Sequence, residues 1–502
     1  MRYSIYKAFC GVFVAALVLA GCGSDAARPQ ACSSTPHAVA AALSPAPSPE
    51  VMNAAVSFDL NNASAAYGTS VHPIPDQPPP VVQPPANIFL PSTLYFVVGQ
   101  TYRLEFNKFI GGFNNHTDEV VVGPSMEGSV SHPDYWEYTP PAAGSFSLSI
   151  TVKDKGGATR ASTVRPVVVS AARTGSNIRH LSIGDSITRA GGYVEQAVRC
   201  IFGGKTVGTR TYDGGTVCVE GRGGWTIEHY LARIGEPTGG DSPFLFPSGV
   251  RGAKYRGNTA FWREVTVGDP RGYDYDGFQV MARDWRTSGS YVFDSNGYPA
   301  SPVIGDVVVD PSEPAGTQWR QYDGSTWPAM EPQPKVGVSF AKYLERYAPA
   351  FLSGPPTSIS IMLGTVDFLS SPPDVSWATY KSRLDVLINS IRQWNPDVPI
   401  ILIGPPSGGA DNMWADQKIT GAEFNRRIAD VSRRLYATYD TPDGRAKRVY
   451  VISFLGVVSS SNMADYVHPR MPDGHDQMAP WLAGILAYLN STTGAQAAHL
   501  GG

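Results

Sequence analysis

From residue 178 onward, short apolar runs alternate with amphipathic ones, and this constrains the fold more than any other feature of the chain. The run "IRHLSIG" reads as a strand, and "GYVEQAVRCIF" after it as a helix. The shorter β-like runs "TVGTRTY" and "TVCVEG" follow, then helix-like "WTIEHYLARI". After a long interruption come strand "TSISIMLG", helix "SWATYKSRLDVLINSIRQWN", strand "VPIILIG", helix "GAEFNRRIADVSRRLYATY", strand "RVYVISF" and a closing helix "MAPWLAGILAYLN". In the long helix, Tyr380, Leu384, Leu387 and Ile391 fall on one face. Strands that alternate with helices imply an α/β fold, a parallel sheet with helices on both faces. Ligands of such sheets sit beyond the carboxyl ends of the strands, so residues just after each strand carry the functional question.

The rest of the chain divides by composition. Residues 22–87 are rich in Ala, Pro and Ser, with a second Pro-rich spacer "PIPDQPPPVVQPPANI", and read as a flexible tether. Residues 88–171 are β-like: "SFSLSITVKD" alternates with period two, "KGG" turns, and "RASTVRPVVVSA" continues. This predicts a small all-β sandwich, similar to the immunoglobulin-like accessory modules of secreted enzymes, with a spacer role or carbohydrate binding both open. The α/β domain is expected over 178–495, broken by an insertion at about 236–335 that is dense in aromatics and glycine. Those aromatics suit either a subdomain core or a platform for sugar rings. The net charge of -3, with no clustered basic face, excludes a nucleic-acid surface.

The N-terminus reads as a targeting segment, with Arg2 and Lys7 ahead of the apolar run "AFCGVFVAALVLA". That run is short for a membrane span. It ends in Leu19-Ala20-Gly21-Cys22, which resembles the lipobox of bacterial lipoproteins. The resemblance implies a signal peptide over 1–21, lipidation at Cys22 and an extracytoplasmic protein held to a membrane by its lipid; Gly23 leans towards the outer membrane. The alternative is a plain secretory signal. Cys10 then leaves with the signal and Cys32 lies in the tether, so Cys200 and Cys218 remain, as a disulfide or as two buried thiols. No Cys-x-x-Cys or His-x-x-x-His pairing supports a metal site.

The chemistry concentrates after the first and last strands. Ser186 follows Gly184-Asp185, and alone it reads as a helix cap as readily as a nucleophile. A serine nucleophile needs a base, and the base needs orientation. The tail "ADYVHPRMPDGHDQMAPWLAGIL" offers Asp465 and His468, three residues apart in a loop after the last strand. That spacing lets the carboxylate hold Nδ1–H of the imidazole while Nε2 faces Ser186. The chain has no Gly-x-Ser-x-Gly elbow.

Gly184-Asp185-Ser186 together with Asp465, His468 and Pro469 resembles the first and last blocks of the SGNH, or GDSL, hydrolase superfamily. Gly474, Met478 and Ala479 match its continuation, and "EGRGGWTI" resembles its second block with Gly224 at the oxyanion-hole glycine. The resemblance implies a three-layer flavodoxin-like fold and an esterase without cofactor or metal. In it Ser186 is the nucleophile, His468 the general base, Asp465 its orienting group, and the Ser186 and Gly224 amides the oxyanion hole. The third block departs: in Gly364-Thr365-Val366-Asp367, Val366 stands where the family has an Asn that donates to the oxyanion. Either the two amides suffice, or a donor such as Asn258 or Gln279 replaces it, or activity is weak.

The expected substrate is a carboxylic ester, with O-acetyl groups of a polysaccharide suggested by analogy. Lipase or arylesterase activity on simple acyl esters is the near alternative, and a non-catalytic glycan-binding surface protein the alternative from another class. A second Gly-Asp-Ser at 240–242 follows no strand and is set aside. His180 is expected in the core or at a sheet edge, His229 at the surface, and His475 as a cap of the final helix or at the surface. Asp185 and Asp367 are expected to bond their own turns.

Overall fold

A computed structural model describes residues 86–171, 177–211, 216–232, 242–248, 280–282, 298, 301–302, 304, 307–309, 313–314, 316–333 and 335–499. The signal and tether expectations, Cys22 included, lie outside these residues, as do Asn258 and Gln279.

The strand-like runs of the second half of the chain pair into one parallel sheet. β1 (Arg179–Gly184), β2 (Lys205–Val207), β4 (Ser358–Met362), β5 (Ile400–Gly404) and β6 (Val449–Ser453) run in the order β2-β1-β4-β5-β6, and β3 (Glu220–Gly221) pairs with the end of β1. Each neighbouring pair is parallel. β4 and β5 are buried at every residue; β5 reads as a continuous apolar run, while in β4 the buried Ser358 and Ser360 alternate with isoleucine and are satisfied by His180. "TVGTRTY" and "TVCVEG" give only two sheet residues each, Thr206–Val207 and Glu220–Gly221. Their Thr and Arg residues leave less apolar surface to commit to a doubly covered strand.

Helices cover both faces. On one, Leu181, Ile183, Ile359, Ile361, Ile400 and Leu402 pack with Tyr380, Leu384, Leu387 and Ile391 of α7 (Pro373–Trp394). Full burial of each such side chain stabilises by about 1.5–3 kcal/mol. Pro373 opens that helix where its missing N–H has no partner to lose. On the other face, Met362, Ile401, Ile403 and Ile452 pack with Tyr193 of α3 (Gly192–Glu195) and Leu482 and Ile485 of α9 (Asp473–His499). His180 is buried in β1 between the Ser358 and Ser360 hydroxyls, both at 2.9 Å, and Ser182 bonds Ser360 at 3.0 Å. Burial lowers its pKa to about 3, so it is a neutral, satisfied core histidine.

The N-terminal β segment forms two main sheets and a two-stranded antiparallel pair, Asn87–Ile88 with Ile110–Gly111. One main sheet orders strands Leu94–Val97, Thr159–Ser170, Gly144–Asp154 and Asp118–Gly123; the other orders Tyr102–Glu105, Tyr135–Tyr138 and Ser129–Ser131. Period-two burial of Leu148, Ile150 and Val152 matches the alternation in the sequence. Phe96 of the first sheet lies 6.4 Å from the Trp136 ring and 5.9 Å from the Tyr138 ring of the second. The apolar core runs on into the α/β part: Trp481 of α9 meets Phe96 edge-on at 5.7 Å, and the Tyr102 hydroxyl donates to the Pro480 carbonyl at 3.0 Å.

The insertion enters and leaves through an antiparallel pair, Leu245–Ser248 with Lys335–Val338. Of its aromatics, Phe244, Phe246 and Trp319 are buried in the core beneath the sheet. Trp327 lies between Tyr298 and Tyr322, with ring centroids at 5.3 and 5.2 Å.

Candidate active site

β1 ends at Gly184, and α2 (Ser186–Ala190) starts two residues later. The cap of that helix is Asp185, whose Oδ1 accepts from the Ile187 amide at 3.0 Å. Ser186 is therefore the first helical residue, with an amide that no intrahelical bond uses. The Gly184 carbonyl accepts from the Arg222 amide at 2.9 Å and the Tyr230 hydroxyl at 2.8 Å, which fixes the strand end against the next block.

The Ser186 Oγ lies 2.7 Å from His468 Nε2, and His468 Nδ1 lies 2.7 Å from Asp465 Oδ2. Asp465 Oδ1 also accepts from the Val467 amide at 2.9 Å and the His468 amide at 2.8 Å. Burial pushes the Asp465 pKa up, but these two amides and the imidazole outweigh it and hold the carboxyl below its ordinary value. The pair is partly open, with side-chain exposures of 38% for His468 and 46% for Asp465. Held this way, the imidazole presents an unprotonated Nε2 to the serine hydroxyl and a protonated Nδ1 to the carboxylate. This chain of groups can move a proton off Ser186.

Gly224 follows β3 in a turn held by the Trp225 amide donating to the Arg222 carbonyl at 3.2 Å. Its φ of 74° is one that favours glycine, and open space surrounds the position a β-carbon would take. No hydrogen bond among the described residues uses its amide. Val366 is the second residue of α6 (Thr365–Ser370) and is half-buried. The adjacent Thr365 hydroxyl is buried, so it does not reach a substrate oxygen.

Behind Ser186 lies a group that the motifs alone do not reveal. Asp185 Oδ2, Asp367 Oδ2 and the Thr365 hydroxyl are buried, and among the described residues none has a partner at full hydrogen-bond distance, although the Thr365 hydroxyl lies near enough to Asp185 to stabilise its charge. Burial raises Asp185 to about 6, against the pull of Thr365, the Ile187 amide and His468. Burial raises Asp367 to about 7, with Asp185 adding to the rise and the Ile227 amide opposing it. The charge of Asp185 disfavours a second negative charge on Asp367, which adds to the effect of burial in keeping Asp367 protonated. Asp367 Oδ1 accepts from the Ile227 amide at 3.1 Å, 140 residues away in sequence. It therefore joins the third block to the second, while the Gly364 and Asp367 amides of its own turn, as the sequence suggests, also favour its charge.

Two histidines also differ from expectation. His475 is only 1% exposed, and its Nδ1 accepts from the Tyr193 amide at 3.2 Å. It thus caps α3 rather than its own helix, because the apolar faces of α3 and α9 bury it, and that burial lowers its pKa to about 4. His229 is half-buried, with its Nδ1 accepting from the Thr226 amide at 2.9 Å and its ring 5.7 Å from Trp225. Cys200 and Cys218 are disulfide-bonded. Among the described residues, no group of three or more His, Cys, Asp or Glu could hold a metal ion.

The described part of the chain is thus a mixed α/β protein with a parallel sheet whose strand ends gather Ser186, His468 and Asp465. No protein-family model and no curated protein sequence matches it. Its fold is similar, at low identity, to solved structures that include esterases of carbohydrates. A carbohydrate esterase family 3 protein from Talaromyces cellulolyticus is 13% identical, with 63% of this chain and 99% of that chain covered and a TM-score of 0.29. A peptidoglycan O-acetylesterase is 12% identical over 63% of this chain and 93% of that one, with a TM-score of 0.28. A carbohydrate acetylesterase from Xanthomonas citri is 12% identical over 80% and 75%, with a TM-score of 0.21.

Proposed function

We propose that this chain is a secreted, lipid-anchored serine esterase of the SGNH type, on a three-layer flavodoxin-like α/β domain preceded by an immunoglobulin-like sandwich. Its substrates are acyl esters, and among these the O-acetyl groups of carbohydrates. The observation that carries the reading is the unbroken relay from Ser186 Oγ to His468 to Asp465, with both hydrogen bonds at 2.7 Å.

In the reaction, His468 Nε2 takes the Ser186 proton as Oγ bonds to the ester carbonyl carbon. The Asp465 carboxylate stabilises the imidazolium that forms. The developing oxyanion is met by the amides of Ser186, free at the start of its helix, and Gly224. The tetrahedral centre collapses, the C–O bond to the alcohol breaks, and the imidazolium returns the proton to the leaving alkoxide. Water, deprotonated by His468, then attacks the acyl-serine, and the acid leaves as Oγ regains its proton. No step calls for a metal or cofactor.

The carbohydrate part of the reading rests on the aromatic insertion, whose Trp327 lies beside Tyr298 and Tyr322 on a partly exposed surface. Val366 favours a second reading, because it removes a side-chain donor that the resemblance places in the oxyanion hole. On that reading the chain binds an acylated glycan at the cell surface with little turnover. Acetate release from a panel of acetylated polysaccharides, compared between the protein and Ser186→Ala, separates the two. Release that needs Ser186 supports the esterase; retention of the polysaccharide by both proteins, without release, supports the binder.

A further inference from the structure

The N-terminal β segment meets the loops at the carboxyl ends of β5 and β6. Part of this contact is a single helical turn, α1 (Phe106–Phe109), and the residue before it. The Glu105 amide donates to the Gly456 carbonyl at 2.7 Å, just beyond β6. Lys108 Nζ donates to the Gly408 carbonyl at 3.0 Å, just beyond β5. The Gly409 amide in turn donates to the Tyr466 carbonyl at 3.0 Å, and Tyr466 is the residue after Asp465.

The two glycines let the strands of this contact approach closely. A β-carbon on Gly408 would lie 2.9 Å from the Tyr466 carbonyl oxygen, and one on Gly409 would lie 2.8 Å from that of Asp465. Trp414 closes the side: its indole N–H donates to the Gly409 carbonyl at 3.2 Å, and its ring meets Tyr466 edge-on at 5.1 Å. Asn425 Oδ1 accepts from the Gly408 amide at 2.7 Å, from helix α8 (Gly421–Tyr439). Phe106, Phe109, Trp414, Phe424, Met463 and Val467 share one core beneath the loop. Burial depresses the Lys108 ammonium, while Glu105 and Asp411 support its charge. Half-buried against the loop, the Lys108 ammonium supplies the Gly408 carbonyl with a bond that a packed methylene cannot make.

We propose that the β segment is a brace for the loop that carries Asp465 and His468, and that Lys108 is a positioning residue for His468. This rests on the serine-esterase reading. The ammonium fixes the Gly408 carbonyl, the Gly408–Gly409 backbone fixes the Tyr466 carbonyl, and the Tyr466 carbonyl sets where the imidazole stands. The Ser186–His468 bond tolerates little displacement, since a misplacement of about 1 Å costs on the order of 100-fold in rate.

The test is Lys108→Met in the full-length protein, with Lys108→Gln as a milder variant and Lys108→Arg as the conservative one. With p-nitrophenyl acetate, kcat falls by about tenfold or more in Lys108→Met, KM stays within about twofold, and Lys108→Arg recovers most of kcat. In proton NMR, the His468 Nδ1–H resonance, sharp in the wild type, broadens in Lys108→Met and Lys108→Gln and sharpens again in Lys108→Arg. The brace is overturned if both variants keep the wild-type resonance, or if kcat falls only as far as the folded fraction does. A wild type without Ser186-dependent hydrolysis defeats the esterase reading alone, and the resonance still decides the brace.

Discussion

Replacing Asp465 with Asn separates two jobs that the carboxylate does at once. Oδ1 holds the loop through the Val467 and His468 amides, and Oδ2 holds Nδ1–H of the imidazole. Asn has one acceptor and one donor group, so it can do one job or the other. With its oxygen on the two amides, its NH2 faces Nδ1, which must then accept; the ring proton moves to Nε2, and Ser186 loses its base. With the side chain flipped, the tautomer is right but both amide bonds are lost. At about 1 kcal/mol per bond, plus the donor–donor clash, the flip costs about 2–3 kcal/mol. The competent population then falls about 30- to 150-fold. This is less than the loss of about 10⁴ known for a buried triad aspartate in a serine protease, and here the pair is 38% and 46% exposed, so water can supply part of the missing bonding. Asp465→Asn is therefore expected to lower kcat on p-nitrophenyl acetate about 100-fold with KM and Tm little changed. A variant within threefold of wild type would refute the tautomer argument.

Other outcomes follow from the same geometry. Val366→Asn supplies a donor at the position where the resemblance expects one, and is predicted to raise the acylation rate about 10- to 100-fold, read from the pre-steady-state burst; an unchanged rate means the hole is complete without it. Asp367 is raised to about 7 in the folded chain against 3.8 as an ordinary aspartate, so the native state holds the extra proton between those values. Its contribution to stability is fully present below the unfolded pKa and is lost as pH rises through about 7. Asp367→Asn keeps an acceptor for the Ile227 amide without the charge, so the drop in Tm between pH 6 and pH 8 is predicted to shrink; an equal drop in both proteins would contradict the buried-carboxyl account.

Legibility in the sequence followed burial. β1, β4, β5 and β6 could be read because strands covered on both faces are rich in buried Ile, Leu and Val, and their strand ends then marked where chemistry would gather. Ser186, Asp465 and His468 could be read together because each follows a strand, and because the three-residue step from Asp465 to His468 suits a carboxylate–imidazole bond. What could not be read depends on contacts between distant segments. Asp367 looks like any aspartate in a turn until Ile227 is known to sit against it. His475 follows a loop and precedes a helix, and nothing nearby says that α3 will cover it. Lys108 lies in a β-rich stretch with no motif, and its target, the Gly408 carbonyl, lies 300 residues on.

The account stands on Ser186 as a nucleophile activated by His468. The most direct measurement is p-nitrophenyl acetate turnover by wild type and Ser186→Ala, with fluorophosphonate labelling of each mapped by mass spectrometry. The account predicts turnover and a single label on Ser186 in the wild type, and neither in Ser186→Ala. Turnover that survives Ser186→Ala, or a folded wild type that neither hydrolyses the ester nor takes the label, would contradict it.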